Sequence, residues 1–123
     1  MRVIDPGHAY ALRDLDGEAE TVLRFVKRVG PEYPGNAGAH PGPTTQEVLR
    51  ALIDRTIFVD SQQPHHQNAV AIRDMRSALA ALEARASERH GVPCRWGPAE
   101  IETMPTCPTC GHIWCKHTEG GDS

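Results

Sequence analysis

The densest group of potentially reactive side chains lies over residues 107–117. Cys107 and Cys110 have the CxxC spacing of a zinc knuckle, and Cys115 with either His112 or His117 would complete a tetrahedral set. We predict Cys107, Cys110, Cys115 and His117 as the ligands of a structural zinc ion, because four protein ligands leave no position for water. A tail with free thiols is the alternative, since no second CxxC repeats the pattern.

Two arginines and one phenylalanine stand out from the pattern around them. Arg85 and Arg89 lie one helical turn apart at the edge of an apolar stripe, where an anionic ligand is one interpretation and a surface charge array with Glu83 and Glu88 is the other. At about 100° per residue, Phe58 points nearly opposite the centre of its own stripe. Such a ring either stacks on a ligand, lies at a subunit interface, or is simply exposed.

Sequence motifs of catalysis are absent. The chain has no GxSxG, P-loop, GxGxxG or HExxH motif and no paired carboxylates. Its seven histidines are scattered over predicted loops without an adjacent nucleophile. We therefore predict a binding protein and not an enzyme, with a small hydrolase or lyase as an alternative.

The N-terminal third predicts a small antiparallel sheet. Residues 8–28 are typical of a β-hairpin around the turn dipeptide Asp16-Gly17, with alternating faces in the second strand. Residues 30–43 are so rich in Gly and Pro that they predict a loop, either functional or a flexible linker. Arg24 is a charge on an otherwise apolar face of the second strand.

Two helices follow. Thr44 and Glu47 form a capping box before helix 44–60, whose apolar stripe we predict as Val48, Leu49, Leu52, Ile53, Thr56, Ile57 and Val59. A turn over residues 61–67 precedes helix 68–90, which Gly91 closes. Two such stripes with a short connection predict an antiparallel helical hairpin. The fold class is thus α+β, with one domain over residues 1–91 and an irregular extension over 92–123.

Composition limits the classes of partner. A net charge of −3 argues against nonspecific DNA or RNA binding, and no apolar run is long enough for a transmembrane helix. With 39% hydrophobic residues, 11 Gly and 10 Pro, a monomer has little apolar surface to bury, so we expect oligomerisation. Clustered cysteines without a disulfide framework fit a reducing cytoplasm.

The order of several short motifs resembles one family. In sequence they are Asp-Pro-Gly-His-x-Tyr-x-Leu-x-x-Leu-Asp-Gly (5–17), Phe-Val-Lys-Arg (25–28), Tyr-Pro-Gly-Asn-x-Gly (33–38), Gln-Glu-Val-Leu-Arg-Ala-Leu-Ile-Asp-Arg (46–55) and Arg-x-Ser-Glu-Arg-His-Gly (85–91). Residues 3–91 thereby resemble the first-described Thoeris anti-defence sponge family of bacteriophages and prophages. The Cys-rich tail is not covered.

That resemblance implies a function and a site. Family members assemble into dimers and then hexamers in the bacterial cytoplasm, and they sequester cyclic ADP-ribose isomers made by TIR-domain defence enzymes without cleaving them. No cofactor is implied for ligand binding. The matching ligand-binding positions here are Phe58, Asn68, Arg85 and Arg89.

A second pocket is also implied by the resemblance. Some members hold cyclic trinucleotides of the CBASS defence system, and here that pocket would use Arg24 and the backbone from Asn36 to Gly38. A different interpretation of the whole chain is a zinc-containing adaptor that binds nucleic acid or protein through residues 107–117. Deletion of residues 92–123 separates the two, because only the adaptor would lose its function.

Overall fold

The structure is a computed structural model, and it describes residues 1–91 of the 123-residue chain. A three-stranded sheet precedes two helices, which confirms the predicted α+β class. The chain divides into two compact units, Met1–Thr45 and a second that begins at Gln46. Their elements are β1 (Arg2–Asp5), β2 (Ala9–Arg13), β3 (Glu20–Arg24), α1 (Thr45–Gln62) and α2 (His66–His90).

The sheet is antiparallel in the order β1-β2-β3. The predicted hairpin is present: Ala11 pairs with Val22, and the turn places Gly17 at φ 78°, a conformation that favours glycine. Strand β1 was not predicted, because four residues before an Asp-Pro-Gly turn carry too little alternation to be recognised. It pairs with β2, and the register of this pairing shifts between Val3 and Asp5.

The second strand of the hairpin is shorter than predicted. Pairing with β2 ends at Arg24 and not at residue 28. Beyond it, Lys27 exchanges two backbone hydrogen bonds with His40 (3.0 and 3.2 Å), and the Val26 amide donates to the Pro43 carbonyl (3.0 Å). The Gly/Pro loop therefore folds back along residues 26–28 and is not a free linker.

Gly42 marks the closest approach of that loop to the strand. A Cβ built there would lie 2.4 Å from the Arg24 carbonyl oxygen and 2.8 Å from the Val26 nitrogen, both backbone atoms. We expect Gly42→Ala to lower the free energy of unfolding by roughly 1–3 kcal/mol, since backbone cannot move aside as a flexible side chain can. Hydrogen exchange at the Lys27 and His40 amides would accelerate. Ala39→Ser in the same loop is the control; equal behaviour of the two variants would contradict the contact.

The helices begin and end near the predicted positions, with one correction. Helix α1 starts at Thr45, directly after the predicted cap Thr44, and extends to Gln62. Helix α2 starts at His66, two residues before the predicted start, because the His65 side chain accepts a hydrogen bond from the Gln67 amide and caps it. The predicted turn over residues 61–67 is correspondingly shorter. Gly91 closes α2 in a left-handed conformation, as predicted.

The core between the helices is narrower than the predicted stripe. Ile53 of α1 clusters with Leu79 and Ala86 of α2, and partly buried hydrophobic residues surround them: Leu49, Ile72, Met75 and Ala80. Leu52, Ile57 and Val59 were predicted to belong to this stripe, but all three are exposed. A helix presents only about one third of its circumference to a single partner helix, so the outer members of a broad stripe are left uncovered.

Glu83 is buried among these apolar residues. It is 0% exposed, and neither carboxylate oxygen has a hydrogen-bond partner within the described residues. Burial raises the pKa of Glu83, and the positive charge of Arg50 offsets part of that rise. The carboxyl group thus binds its proton more tightly in the folded chain than in the unfolded one.

Removing this carboxylate should stabilise the protein at neutral pH. We expect Glu83→Leu to raise the free energy of unfolding at pH 7 by about 1–3 kcal/mol, because a poorly compensated buried charge is replaced by an apolar side chain of similar size. In the wild type, stability should fall as pH rises from the ordinary glutamate pKa of 4.5 through the raised folded value. That slope should disappear in the variant. Urea unfolding at several pH values measures both effects.

Glu88→Leu, an exposed site on the same helix, is the control. A loss of stability in Glu83→Leu would show that the carboxylate is well paired.

Candidate functional site

Phe58 lies on an exposed face of α1. Its exposure is 61%, whereas the exposed Leu52 and Val59, two turns apart from each other, share a side of the helix that is rotated by about 100–120° from Phe58. Two residues further on, Asp60 is rotated by about 200° and is on the opposite side. The prediction that Phe58 points away from the core of the hairpin is confirmed.

Asn68 lies in the first turn of α2 and is already held by the protein. Its amide nitrogen donates to Asp60 Oδ1 (3.1 Å), and the same oxygen accepts from the His65 backbone nitrogen (3.1 Å). These hydrogen bonds, first that of His65 and then that of Asn68, lower the pKa of Asp60. The contact joins the end of α1 to the start of α2, and no local motif indicates it.

Arg85 and Arg89 are both exposed in the last part of α2. Ala71 and Ala78, also exposed, continue the same strip towards the start of the helix. The alternative interpretation, a surface array with Glu83, is wrong in one respect, since Glu83 is buried. The two guanidinium groups thus remain one helical turn apart on an accessible strip.

One chain does not bring these four residues together. Asn68 precedes Arg85 by 17 positions on one continuous helix, which corresponds to about 25 Å along the axis at 1.5 Å per residue. Phe58 is at the Asn68 end of the hairpin but on the far side of α1. A ligand the size of one nucleotide is much shorter than this separation, so a site that used all four residues would need side chains from more than one chain.

The second predicted group, Arg24, Asn36 and Gly38, lies in the N-terminal unit. Arg24 is exposed at the end of β3. The Asn36 backbone nitrogen donates to the Tyr33 carbonyl (3.2 Å) and its side-chain nitrogen to the Arg28 carbonyl (2.8 Å). The Asn36 amides are therefore occupied within the loop. Gly38 has a φ of 80°, which only glycine adopts without strain.

A cluster of ionisable groups near this loop was missed by sequence reasoning. Lys27, whose side chain is only 10% exposed, donates to Asp5 Oδ2 (2.8 Å), and His40 Nε2 lies 4.0 Å from the same oxygen. The ring of His8 meets that of His40 edge-on at 6.4 Å. His8 Nδ1 donates to the Pro6 carbonyl at 3.0 Å, because a carbonyl can only accept.

The cluster ties the Gly/Pro loop to the sheet. Asp5 and His8 are distant in sequence from Lys27 and from His40, and they meet through backbone pairing such as that of Lys27 with His40, so no local motif could have revealed the cluster. The hydrogen bond from Lys27, with smaller effects of the positive charges of Lys27, His8 and His40, lowers the pKa of Asp5 despite partial burial. The Asp5 carboxylate therefore stays ionised beside Lys27.

The predicted zinc ligands Cys107, Cys110, Cys115 and His117 lie outside the described residues. Within residues 1–91, no group of three or more His, Cys, Asp or Glu side chains is placed to hold a metal ion. Neither helix in that part of the chain is long and apolar enough to cross a membrane.

Comparison with known proteins identified no relative of this chain. No family model, no curated protein and no solved structure matches the chain.

Proposed function

We propose that this protein binds and sequesters cyclic nucleotide signals of the cyclic ADP-ribose class without cleaving them, as the Thoeris anti-defence sponges that it resembles do. The observation that carries the proposal is the exposure of Phe58 and of Arg85 with Arg89 on one helical hairpin. An exposed large aromatic ring and a pair of accessible guanidinium groups suit a ligand that has a base and a pyrophosphate.

Each part of the ligand has a matching side chain. The adenine ring stacks on Phe58, where a guanidinium plane on its other side adds cation–π attraction. Arg85 and Arg89 bind the pyrophosphate, because a guanidinium group offers two parallel N–H donors to a phosphate. None of these side chains is a general base at neutral pH, which favours holding the ligand over cleaving it.

A second copy of the chain completes the site in this proposal. Leu52, Phe58 and Val59 leave apolar side chains of α1 exposed in a small protein, and pairing with another copy would cover part of this surface. Such a pairing also supplies Arg85 and Arg89 from the partner chain to Phe58 of the first. The dimer is the unit from which a hexamer would be built, and its place of action would be the cytoplasm of a phage-infected bacterium.

Cyclic trinucleotides are the second ligand class of the proposal. Arg24 supplies an exposed positive charge beside the Gly/Pro loop, and the cluster around Asp5 and Lys27 keeps that loop ordered. Because the backbone amide of Asn36 donates to Tyr33, the amides that remain for a phosphate are those nearer Gly38. This pocket is separate in sequence from the helical hairpin.

A thermal-shift panel tests the proposal. The full-length protein is heated with cyclic ADP-ribose isomers, linear ADP-ribose, cyclic trinucleotides and ATP at equal concentrations. Ligand at one hundred times its Kd stabilises the folded state by about 2.7 kcal/mol, which shifts the midpoint by several degrees. We expect such shifts for a cyclic ADP-ribose isomer and not for linear ADP-ribose or ATP. A panel without any shift would reject the proposal.

A further inference from the structure

The last two turns of α2 place a carboxyl group where a helical hairpin ordinarily has an apolar side chain. Glu83 lies one turn after Leu79 and one turn before Ser87, on the side of α2 that packs against Ile53 of α1. It is 0% exposed, and within the described residues neither of its carboxylate oxygens has a hydrogen-bond partner. Burial of a polar group without a partner costs free energy, and the cost is much larger for the ionised form.

The apolar contacts that hold these two turns against α1 are small. Among the described side chains beyond Leu79, those buried are Glu83, Ala86 and Ser87, and Leu82 is half-buried. The large buried apolar side chains of the hairpin, Ile53 and Leu79, come before these turns. Because stabilisation by burial scales with apolar area, an alanine and a serine contribute little to the packing of this end. One ionisable group can therefore decide whether it stays packed.

We propose that Glu83 is a pH-sensitive switch for the last two turns of α2. These turns stay packed on α1 while the carboxyl group of Glu83 is protonated, and they open far more often once it is ionised. The inference goes beyond the proposed function and does not depend on the proposed ligand. Arg85 and Arg89 lie on the same two turns, so the switch also decides how often this pair is presented on an ordered helix.

The charged groups around Glu83 compensate its burial only in part. On α1, the positive charge of Arg50 acts on Glu83, but Nη1 of Arg50 donates to Glu47 Oε2 at 3.2 Å. On α2, the residues one turn away on either side do not titrate; they are Leu79, Ala80, Ala86 and Ser87. Burial raises the pKa of Glu83 more than Arg50 lowers it, so the carboxyl group holds its proton most tightly in the packed state.

The direction of the switch follows from the linkage between proton binding and opening. Below the ordinary glutamate pKa of 4.5, Glu83 is protonated in the packed and the open state alike, and the packed state has its full stability. As the pH rises from 4.5 through the raised value, opening releases a proton and becomes easier by up to about tenfold per pH unit. Above the raised value the carboxylate is ionised in both states, and the effect levels off.

Amide hydrogen exchange of the full-length protein, resolved by NMR, tests the switch. The reporters are the amides of Ser87, Glu88 and Arg89, and the amide of Leu79 is the reference. After correction for intrinsic exchange rates, we expect the protection of the reporters to fall by up to about tenfold per pH unit above pH 4.5. Low concentrations of urea should accelerate exchange at Leu79 and leave the reporters unchanged, because a local opening exposes little surface.

Two substitutions identify the group that titrates. Glu83→Gln keeps the shape of the side chain but cannot ionise, so the protection of its reporters should not vary with pH. Glu83→Leu gives the same test with an apolar side chain if the glutamine variant folds poorly. Glu88→Gln, at an exposed position on the same turns, is the matched control and should keep the wild-type dependence. In the wild type, the ¹³C resonance of the Glu83 carboxyl group should titrate with the same midpoint as the protection.

Three results would overturn the switch. The first is reporter protection that does not vary with pH in the wild type, and the second is protection that varies equally in the wild type and in the Glu83 variants. The third is an equal urea dependence at the reporters and at Leu79, because the proton would then be linked only to unfolding of both helices together. No ligand takes part in these measurements, so their outcome is separate from that of the proposed function.

Discussion

Phe58→Ala is expected to weaken binding of cyclic ADP-ribose by roughly 10- to 100-fold, because stacking of a base on an aromatic side chain contributes about 1–3 kcal/mol. The free energy of unfolding should change by less than about 0.5 kcal/mol, since the side chain is largely exposed and is not part of the buried core. Isothermal titration calorimetry gives the first quantity and urea unfolding the second.

Two control variants make that result specific. Phe58→Tyr retains a stacking ring and should bind almost normally. Leu15→Ala removes an even more exposed apolar side chain from the β2–β3 turn and should leave binding unchanged. Sedimentation of Phe58→Ala at the calorimetric concentration checks that its assembly is intact. Normal binding by a correctly assembled Phe58→Ala protein would contradict the stacking role.

Substitution of either arginine of the pair Arg85 and Arg89 should have the second large effect on ligand affinity. We expect Arg85→Ala or Arg89→Ala to weaken binding by at least about tenfold each, because truncating one partner of a charge-assisted contact costs 2 kcal/mol or more. Arg85→Lys should recover only part of the affinity, since an ammonium group cannot bind phosphate in a bidentate way. Arg73→Ala, another exposed arginine of α2, is the matched control.

Mixing two defective proteins tests whether the site is shared between chains. In a mixed dimer of Phe58→Ala with the Arg85→Ala/Arg89→Ala chain, one of the two sites has an intact ring and an intact arginine pair. Random mixing should therefore restore about a quarter of the binding capacity of the wild type. No recovery, with mixed dimers demonstrated by mass spectrometry, would mean that the ring and the arginines do not meet across two chains.

The parts of the fold that sequence predicted are those with local signals. The hairpin turn at Asp16-Gly17, the start of α1 directly after Thr44 and the closing Gly91 each depend on residues close together in the chain, and all were correct. Strand β1 and the pairing of Lys27 with His40 depend on contacts between distant residues, and neither was predicted. Periodicity alone cannot distinguish a helix face that packs on its neighbour from one that is merely apolar.

In the candidate site, too, the features with local signals were predicted and those that depend on distant contacts were not. The exposure of Phe58 and of the two arginines followed from helical periodicity, because each lies away from the centre of a stripe. The burial of Glu83 was missed, since glutamate at a helix end ordinarily belongs to the surface. The contact between Asp60 and Asn68 was also missed, because it depends on how two helix ends meet across a three-residue connection.

Recovery of the intact ligand tests the central claim most directly. The protein is incubated with a stoichiometric amount of a cyclic ADP-ribose isomer, freed of unbound nucleotide by filtration, denatured by heat, and the released nucleotide is identified by mass spectrometry. Sequestration predicts that nearly all of the ligand is retained by the folded protein and is released with its cyclic structure unchanged. Retention of no ligand, or release of linear ADP-ribose in its place, would contradict it.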